Sequence, residues 1–536
     1  MFRSSFARFA ALFALGVAMT AGAAAQSQLY AAIAPEGRSS YVGGPPITFF
    51  VTALNATGAP LTGCHPEPTY WDQGWSYQTV DAGNQLIGAP DTPVALADGA
   101  SQGFLLTLDS PTSTHVGVEP PRIECDGVSS ARAYALSADV VVLNDPRPDI
   151  IAISATPSAD GVVRLPSAGG RAAMAVAAVN IGAPGRMAVF PSDSYYMIGT
   201  TQLSVCETNP VTGSCIGPRT DEIFADFATD EVKTFAVFVQ GPPNAGVPFY
   251  PDLMRVELNF ELDGDRGWAR GRTSAAVTGP PPPGPRSIAG LFSMYFEQDF
   301  ETTVSLSRGL GAVWPDGRTL FWGDGGLWSR ANGEWLALGD GNVDGRAVTV
   351  EAASVFEDLD DDIWGASFDF RVQPQTGLIG EYGNARAPIT PGTPSGNFTG
   401  RYRGAYDGFL TERPVSAQDM VGRWQLISGG FIVGEMTVDA SGRVSSGQLF
   451  GSAFGNCRFG GELDHVLEGR NFMDIELRFQ GAVVGCAQPF NGNTFEGFAT
   501  IGVIEGAIGT NTPLLVFIAD RDGANRSGFS LLFVKA

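Results

Sequence analysis

The chain has 536 residues, 44% hydrophobic and only 17% charged, with a formal net charge of −23. That acidity argues against nucleic acid, whose phosphates need a basic face, and against electrostatic docking on anionic lipid. The length implies about three to five domains. The 69 Gly and 36 Pro, with short alternating apolar runs in place of helical spacing, imply an all-β protein.

Arg3 and Arg8 precede an apolar run from Phe9 to Met19, and Ala23-Ala24-Ala25 forms an A-x-A cleavage site before Gln26. We read 1–25 as a secretory signal peptide, since a membrane anchor needs ~20 apolar residues. Export is expected, to the extracellular space, the cell surface or the periplasm of a Gram-negative bacterium. No transmembrane segment is expected after signal removal. Cleavage removes two arginines and no acids, taking the net charge from −23 to −25. The six cysteines suit an oxidising compartment. Their positions suggest local pairs, Cys64 with Cys125, Cys206 with Cys215 and Cys457 with Cys486. Other connectivities remain open on sequence alone.

The N-terminal half reads as a duplication. Gly43-Gly44, Asn55 and Gly58-Ala59-Pro60 recur as Gly169-Gly170, Asn180 and Gly182-Ala183-Pro184, and the strand Ser101–Leu108 matches Val232–Val239. Each unit has the size of an immunoglobulin-like sandwich, giving boundaries of 26–147 and 148–278. A polyproline spacer follows at 279–286. Gly290-Leu291-Phe292 and Gly422-Arg423-Trp424 then open two further units, 287–414 and 415–536. The last carries Asn456-Cys457-Arg458-Phe459-Gly460-Gly461, Asn471, Cys486 and Phe495-Glu496-Gly497-Phe498-Ala499.

These features resemble secreted bacterial proteins with tandem Ig-like domains and C-terminal lipocalin-like barrel repeats. The resemblance implies two Ig-like β-sandwiches followed by two lipocalin-like antiparallel β-barrels. It implies no activity.

Three sets of residues invite a function. Asp340-Gly341-Asn342-Val343-Asp344-Gly345, with Glu351, fits a calcium-loop spacing in which Asp340, Asn342, Asp344 and Glu351 supply oxygens. The flanking residues read as strands, so a Gly-rich hairpin turn explains the same run without an ion. Calcium at this loop is the one cofactor considered. Trp71 and Trp75, just after Cys64, offer either an exposed aromatic binding patch or core packing on the disulfide. Trp314, Trp322, Trp328, Trp335 and Trp364 crowd one expected barrel, where they line a ligand cavity or fill the interior.

Catalytic signatures are missing. Three histidines, His65, His115 and His465, occur with no G-x-S-x-G elbow and no H-E-x-x-H helix. Carboxylate-pair chemistry has neither support nor exclusion. The expectation is a secreted or surface-associated, non-catalytic binding, adhesion or structural protein with a cell-surface, glycan or protein partner. The alternatives are a carrier of a small apolar ligand and a carbohydrate-active hydrolase.

Overall fold

The computed structural model describes residues 28–535 apart from 69–70, 72, 120–121, 131–136, 194–201, 284–286, 301–302, 324–334, 358–362, 385–398, 413–414, 429–430, 450–455, 468–469, 481–485, 487–491, 502–512 and 521–527. The expected signal peptide, 1–25, and Trp328 lie outside these residues. The chain divides into two compact units, Met1–Gly241 with Pro248–Gly279, and Pro242–Val247 with Pro280–Ala536. Both are built almost wholly of strands, and no helix among the described residues is long and apolar enough to cross a membrane.

The first module runs β1 (Gln28–Ala34), β2 (Gly37–Tyr41), β3 (Ile47–Ala56), β4 (Leu61–Pro66), β5 (Trp75–Val80) and β6 (Leu86–Ile87). It continues through β7 (Val94–Leu96), β8 (Ser101–Leu108), β9 (His115–Glu119), β10 (Ile123–Cys125), β11 (Val128–Ser129) and β12 (Ala138–Leu143). Its sheets are β1-β3-β8-β5-β6, β11-β10-β4-β7 and β2-β12-β9. Alternation in β3 sends Ile47, Phe49, Val51 and Ala53 inward and leaves Phe50 and Thr52 exposed. The core they enter also holds the Cys64–Cys125 disulfide.

The second module runs β13 (Ile150–Ala155), β14 (Val162–Arg164), β15 (Arg171–Asn180), β16 (Gly185–Asp193) and β17 (Gln202–Thr208). After these come β18 (Ile223–Phe227), β19 (Val232–Gln240), β20 (Arg255–Leu262) and β21 (Asp265–Thr278). Its sheets are β13-β15-β19-β17 and β14-β21-β20-β16-β18.

The duplication seen in the sequence is structural. In both modules the opening strand pairs antiparallel with the long one, β1 with β3 and β13 with β15. The next short strand then pairs parallel with the last, β2 with β12 and β14 with β21. Each Gly-Gly makes the same turn: Gly43 and Gly169 have φ of 78° and 67°, and Gly44 and Gly170 donate to the carbonyls of Tyr41 and Ser167. Asn55 and Asn180 are both fully buried and tie down the following loop. Asn55 Nδ2 donates to the carbonyls of Ala59 and Leu96, and Asn180 Nδ2 to those of Ala183 and Ala228.

In the other unit, β22 (Gly290–Phe300), β23 (Thr303–Val313), β24 (Thr319–Gly323), β25 (Trp335–Gly339) and β26 (Asn342–Asp344) lead to β27 (Ala347–Glu357), β28 (Ile363–Gln373), β29 (Gly377–Asn384) and β30 (Thr399–Tyr406). The ladder runs β25-β24-β23-β22-β30-β29-β28-β27-β26, and β25 also pairs with β27, so the sheet returns on itself. Its interior is aromatic. Tyr402 lies 5.4–6.3 Å, ring to ring, from Phe296, Phe321, Phe368, Phe370 and Tyr382.

Two four-residue helices, α1 (Gly408–Thr411) and α2 (Ala417–Met420), lead to the last module. There β31 (Gly422–Ser428), β32 (Phe431–Val438), β33 (Arg443–Leu449), β34 (Cys457–His465), β35 (Met473–Phe479), β36 (Thr494–Ile501), β37 (Pro513–Asp520) and β38 (Gly528–Lys535) close into an eight-stranded barrel. Trp424 of the G-x-W opening is buried at its base, its indole N–H donating to the Met420 carbonyl at 2.8 Å. Phe292 holds the matching position of the preceding ladder and is equally buried.

Candidate functional site

The three expected disulfides all form, Cys64–Cys125, Cys206–Cys215 and Cys457–Cys486, leaving no free cysteine.

Trp71 is 5% exposed, donates its indole N–H to the Gly74 carbonyl at 3.3 Å and meets His115 edge to face at 5.3 Å. Trp75 is half-buried, stacks on Tyr77 and packs on the same core. An exposed pair of tryptophans is therefore not what this segment presents. The disulfide core takes Trp71 whole and one side of Trp75.

The Asp340 loop is a β-hairpin. Asn342, Val343 and Asp344 pair with Thr349, Val348 and Ala347, and Gly345 turns the chain at φ 62°. Alternate residues of an extended strand lie about 7 Å apart. Asn342 and Asp344 are alternate residues of β26 and Asp340 lies just before it, so the calcium-like spacing falls on one strand of a hairpin. Glu351 lies farther along the second strand. Among the described residues no group of three or more His, Cys, Asp or Glu is placed to hold a metal ion.

The tryptophans of the third module divide unexpectedly. Trp314 and Trp322 are neither lumen-lining nor interior filling. Phe321 points inward, so its neighbour Trp322 points out. Trp314 is 2% exposed because Phe472 and Phe498 of the last barrel cover it, at ring distances of 5.3 and 6.3 Å. Ala289, Leu291, Ala312, Leu320 and Leu336 complete this apolar joint. The Arg318 guanidinium lies 5.1 Å from the Trp314 ring and donates to Asp474 at 3.0 Å. Burial raises the Asp474 carboxyl above its ordinary value, against the pull of Arg318. Trp335 lies in β25 and Trp364 in β28, beside Gly323 and Val355 respectively.

The joint between the first two modules is polar, and sequence reading missed it. Arg38 grips Asp149 through Nε at 3.2 Å and Nη2 at 3.0 Å, with both side chains 8% exposed. The same carboxylate accepts the Ser39 N–H at 2.9 Å. Ser274 Oγ donates to Glu36 at 2.6 Å, and Arg272 Nη2 donates to the Ser137 carbonyl at 2.5 Å. Gly37 permits the contact, since a Cβ there would lie 2.9 Å from both Gly271 Cα and the Arg272 nitrogen. Glu257 sits behind this cluster and accepts from Ser192. Burial raises its carboxyl, helped by Glu36 and opposed by Arg272 and Arg255. No local signal marked it: Glu257 and Asn259 take the ordinary outward positions of an alternating strand, and only the tertiary structure buries them.

The histidines serve packing. His65 stacks on Tyr77 with Nδ1 2.9 Å from the Gly63 carbonyl, His115 meets Trp71, and His465 Nδ1 lies 2.9 Å from the Arg470 carbonyl. A small, partly open space in the first module, lined by Phe49, Val51, Leu106, Leu108, Glu119 and Arg122, is no larger than about one water.

No family model matches this chain, and no curated protein matches it. Similar solved structures include red sea bream transglutaminase, at 10% identity over 47% of this chain and TM-score 0.15; the chain covers 31% of that enzyme. They also include a chaperone–tip adhesin complex of CFA/I fimbriae, at 11% identity and TM-score 0.13, and the C-terminal domain of the Streptococcus agalactiae antigen I/II polypeptide BspA, at 8% and 0.16. Each of these two matches covers 47% of this chain and 99% of the other. At such scores the comparisons assign no family. Fold and site define the class only: an all-β, disulfide-bonded protein of serial modules.

Proposed function

We propose that the chain is an exported, non-catalytic binding or structural protein of a Gram-negative bacterium. In this reading the first two modules are Ig-like sandwiches acting as spacer or adhesion units, and the last two are lipocalin-like barrels. One observation carries it: within each unit the modules are locked together through buried side chains, ion-paired at Arg38–Asp149 and aromatic at Trp314–Phe472. Fixed mounting suits display of surfaces to a partner. Three disulfides support an oxidising destination.

The test is expression of the full gene in a Gram-negative host, followed by fractionation and mass spectrometry. The expected product begins at Gln26, carries no free thiol and leaves the cytosol. Labelled protein should then bind envelope material or isolated surface glycans saturably. A cytosolic, reduced product, or turnover of a glycoside panel, overturns the proposal.

The carrier reading keeps one observation in its favour. Tyr402 is fully buried in the aromatic interior of the third module, and its hydroxyl has no hydrogen-bond partner among the described residues. Its surrounding rings nevertheless pack at contact distance, which leaves a ligand little room.

A further inference from the structure

The ionic joint between the first two modules has a tight half and a loose half. In the tight half Arg38 of β2 donates to Asp149 at 3.2 and 3.0 Å through two nitrogens, and Gly37 beside it lets the two backbones approach closely. In the loose half Glu36 of the first module faces Arg255 of β20 at 3.8 Å and Arg272 of β21 at 3.9 Å, and Asp139 of β12 faces Arg272 at 3.8 Å. These pairs are too long for hydrogen bonds. Glu36 Oε2 and Arg272 Nε have no hydrogen-bond partner among the described residues.

The charges of the joint do not balance. Glu36, Asp139, Asp149 and Glu257, each at most 8% exposed, are four carboxylates against the three guanidinia of Arg38, Arg255 and Arg272. Asp252, half-buried beside Arg255, does not relieve the surplus. Glu257 alone of the four makes no direct ion pair among the described residues. It faces Arg255 on its own strand, Arg272 on β21 and Glu36 just before β2, and Ser192 of β16 donates to it at 3.1 Å. Burial raises its carboxyl above the ordinary value of 4.5, opposed by Arg272 and helped by Glu36.

We propose that this joint is a proton-operated hinge, with Arg38–Asp149 as its pivot and the Glu36 half as a latch that closes when Glu257 holds a proton and opens when Glu257 ionises. The sign follows from the count. With Glu257 protonated, the remaining carboxylates Glu36, Asp139 and Asp149 match the three guanidinia, and the buried cluster is neutral. Ionised, it adds a buried negative charge with no partner of its own, which a dry interface resists and entering water relieves. The latch therefore holds in acid and is lost as pH rises through the raised value. The pivot is neutral in both settings, so the modules swing without parting. The hinge adds a second setting to the mounting described above, and it does not depend on what the modules display.

A distance across the joint, measured in the full chain after signal removal, decides the matter. Every native cysteine is paired, so Ala82→Cys in the first module and Thr212→Cys in the second, both at exposed positions, take spin labels selectively. Pulsed electron–electron resonance from about pH 4 to 9 should show one distance in acid and a second population at a different distance as pH rises. Glu257→Gln keeps the side chain's shape without its charge, and should hold the acid distance throughout. Ser192→Ala removes a hydrogen bond that favours the ionised carboxylate, and should move the midpoint to higher pH. A wild-type distance that ignores pH, a Glu257→Gln chain that still opens, or a midpoint that Ser192→Ala lowers or leaves in place overturns the proposal.

Discussion

The joint between the first two modules and the joint between the last two solve one problem with opposite chemistry. The first is a cluster of carboxylates and guanidinia, Glu36, Arg38, Asp149, Glu257 and Arg272, brought close by glycine. The second is a plug of rings and aliphatics around Trp314, with one ion pair, Arg318–Asp474, beside it. An apolar joint gains from area removed from water and tolerates small shifts. A buried ionic joint gains little net energy but penalises every arrangement that leaves a charge unpaired. The contrast teaches that the polar joint specifies geometry while the aromatic joint supplies stability.

The strongest way to break the contrast is to cut each joint at its centre. Asp149→Ala strands Arg38 in a buried site and should cost about 3–5 kcal/mol. Trp314→Ala opens a cavity between the barrels and should cost about 3–5 kcal/mol. Denaturant titration should assign the two losses to different transitions, and a single shared transition would end the comparison. The next effect tests the duplication. Asn55→Ala and Asn180→Ala each leave loop carbonyls without donors and should cost about 2–3 kcal/mol, by nearly equal amounts if the two modules are true copies.

A smaller effect follows from pH. The Glu257 carboxyl is raised above its ordinary value of 4.5, so its contribution is fully present below that value and is lost as pH rises through the raised one. Glu257→Gln removes this dependence. The variant should match the wild type under acid conditions and exceed it at alkaline pH, as read from melting temperature across the range. Equal stability of the two at high pH would mean that Arg272 and Arg255 fully offset the burial. The smallest expected change is Tyr402→Phe, which deletes a buried hydroxyl without a partner and should stabilise the protein by up to about 1 kcal/mol. Destabilisation there would reveal a polar occupant in the barrel.

Much of the scaffold was legible because its signals are local. The matched apolar runs located β8 and β19, the repeated Asn and Gly-Gly marked the duplication, and cysteine spacing led to the three bonds. The candidate sites were less legible. Trp71 was expected as either patch or core, and the disulfide beside it drew it inward. The Asp340 run matched a calcium spacing, yet the same residues form a hairpin, since spacing in sequence does not say whether oxygens converge.

By itself, the sequence determined which residues form strands and which side of each strand is apolar, because both follow from backbone pleat and side-chain alternation. Only the tertiary structure decided what covers the outer sides. There Trp314 and Trp322 found the neighbouring barrel rather than a lumen, Arg272 found Glu36, and Ala175 stayed exposed. The reason is physical. Alternation sorts a strand into two faces, but the partner of an outer face comes from residues more than a hundred positions away, and no local periodicity encodes that meeting.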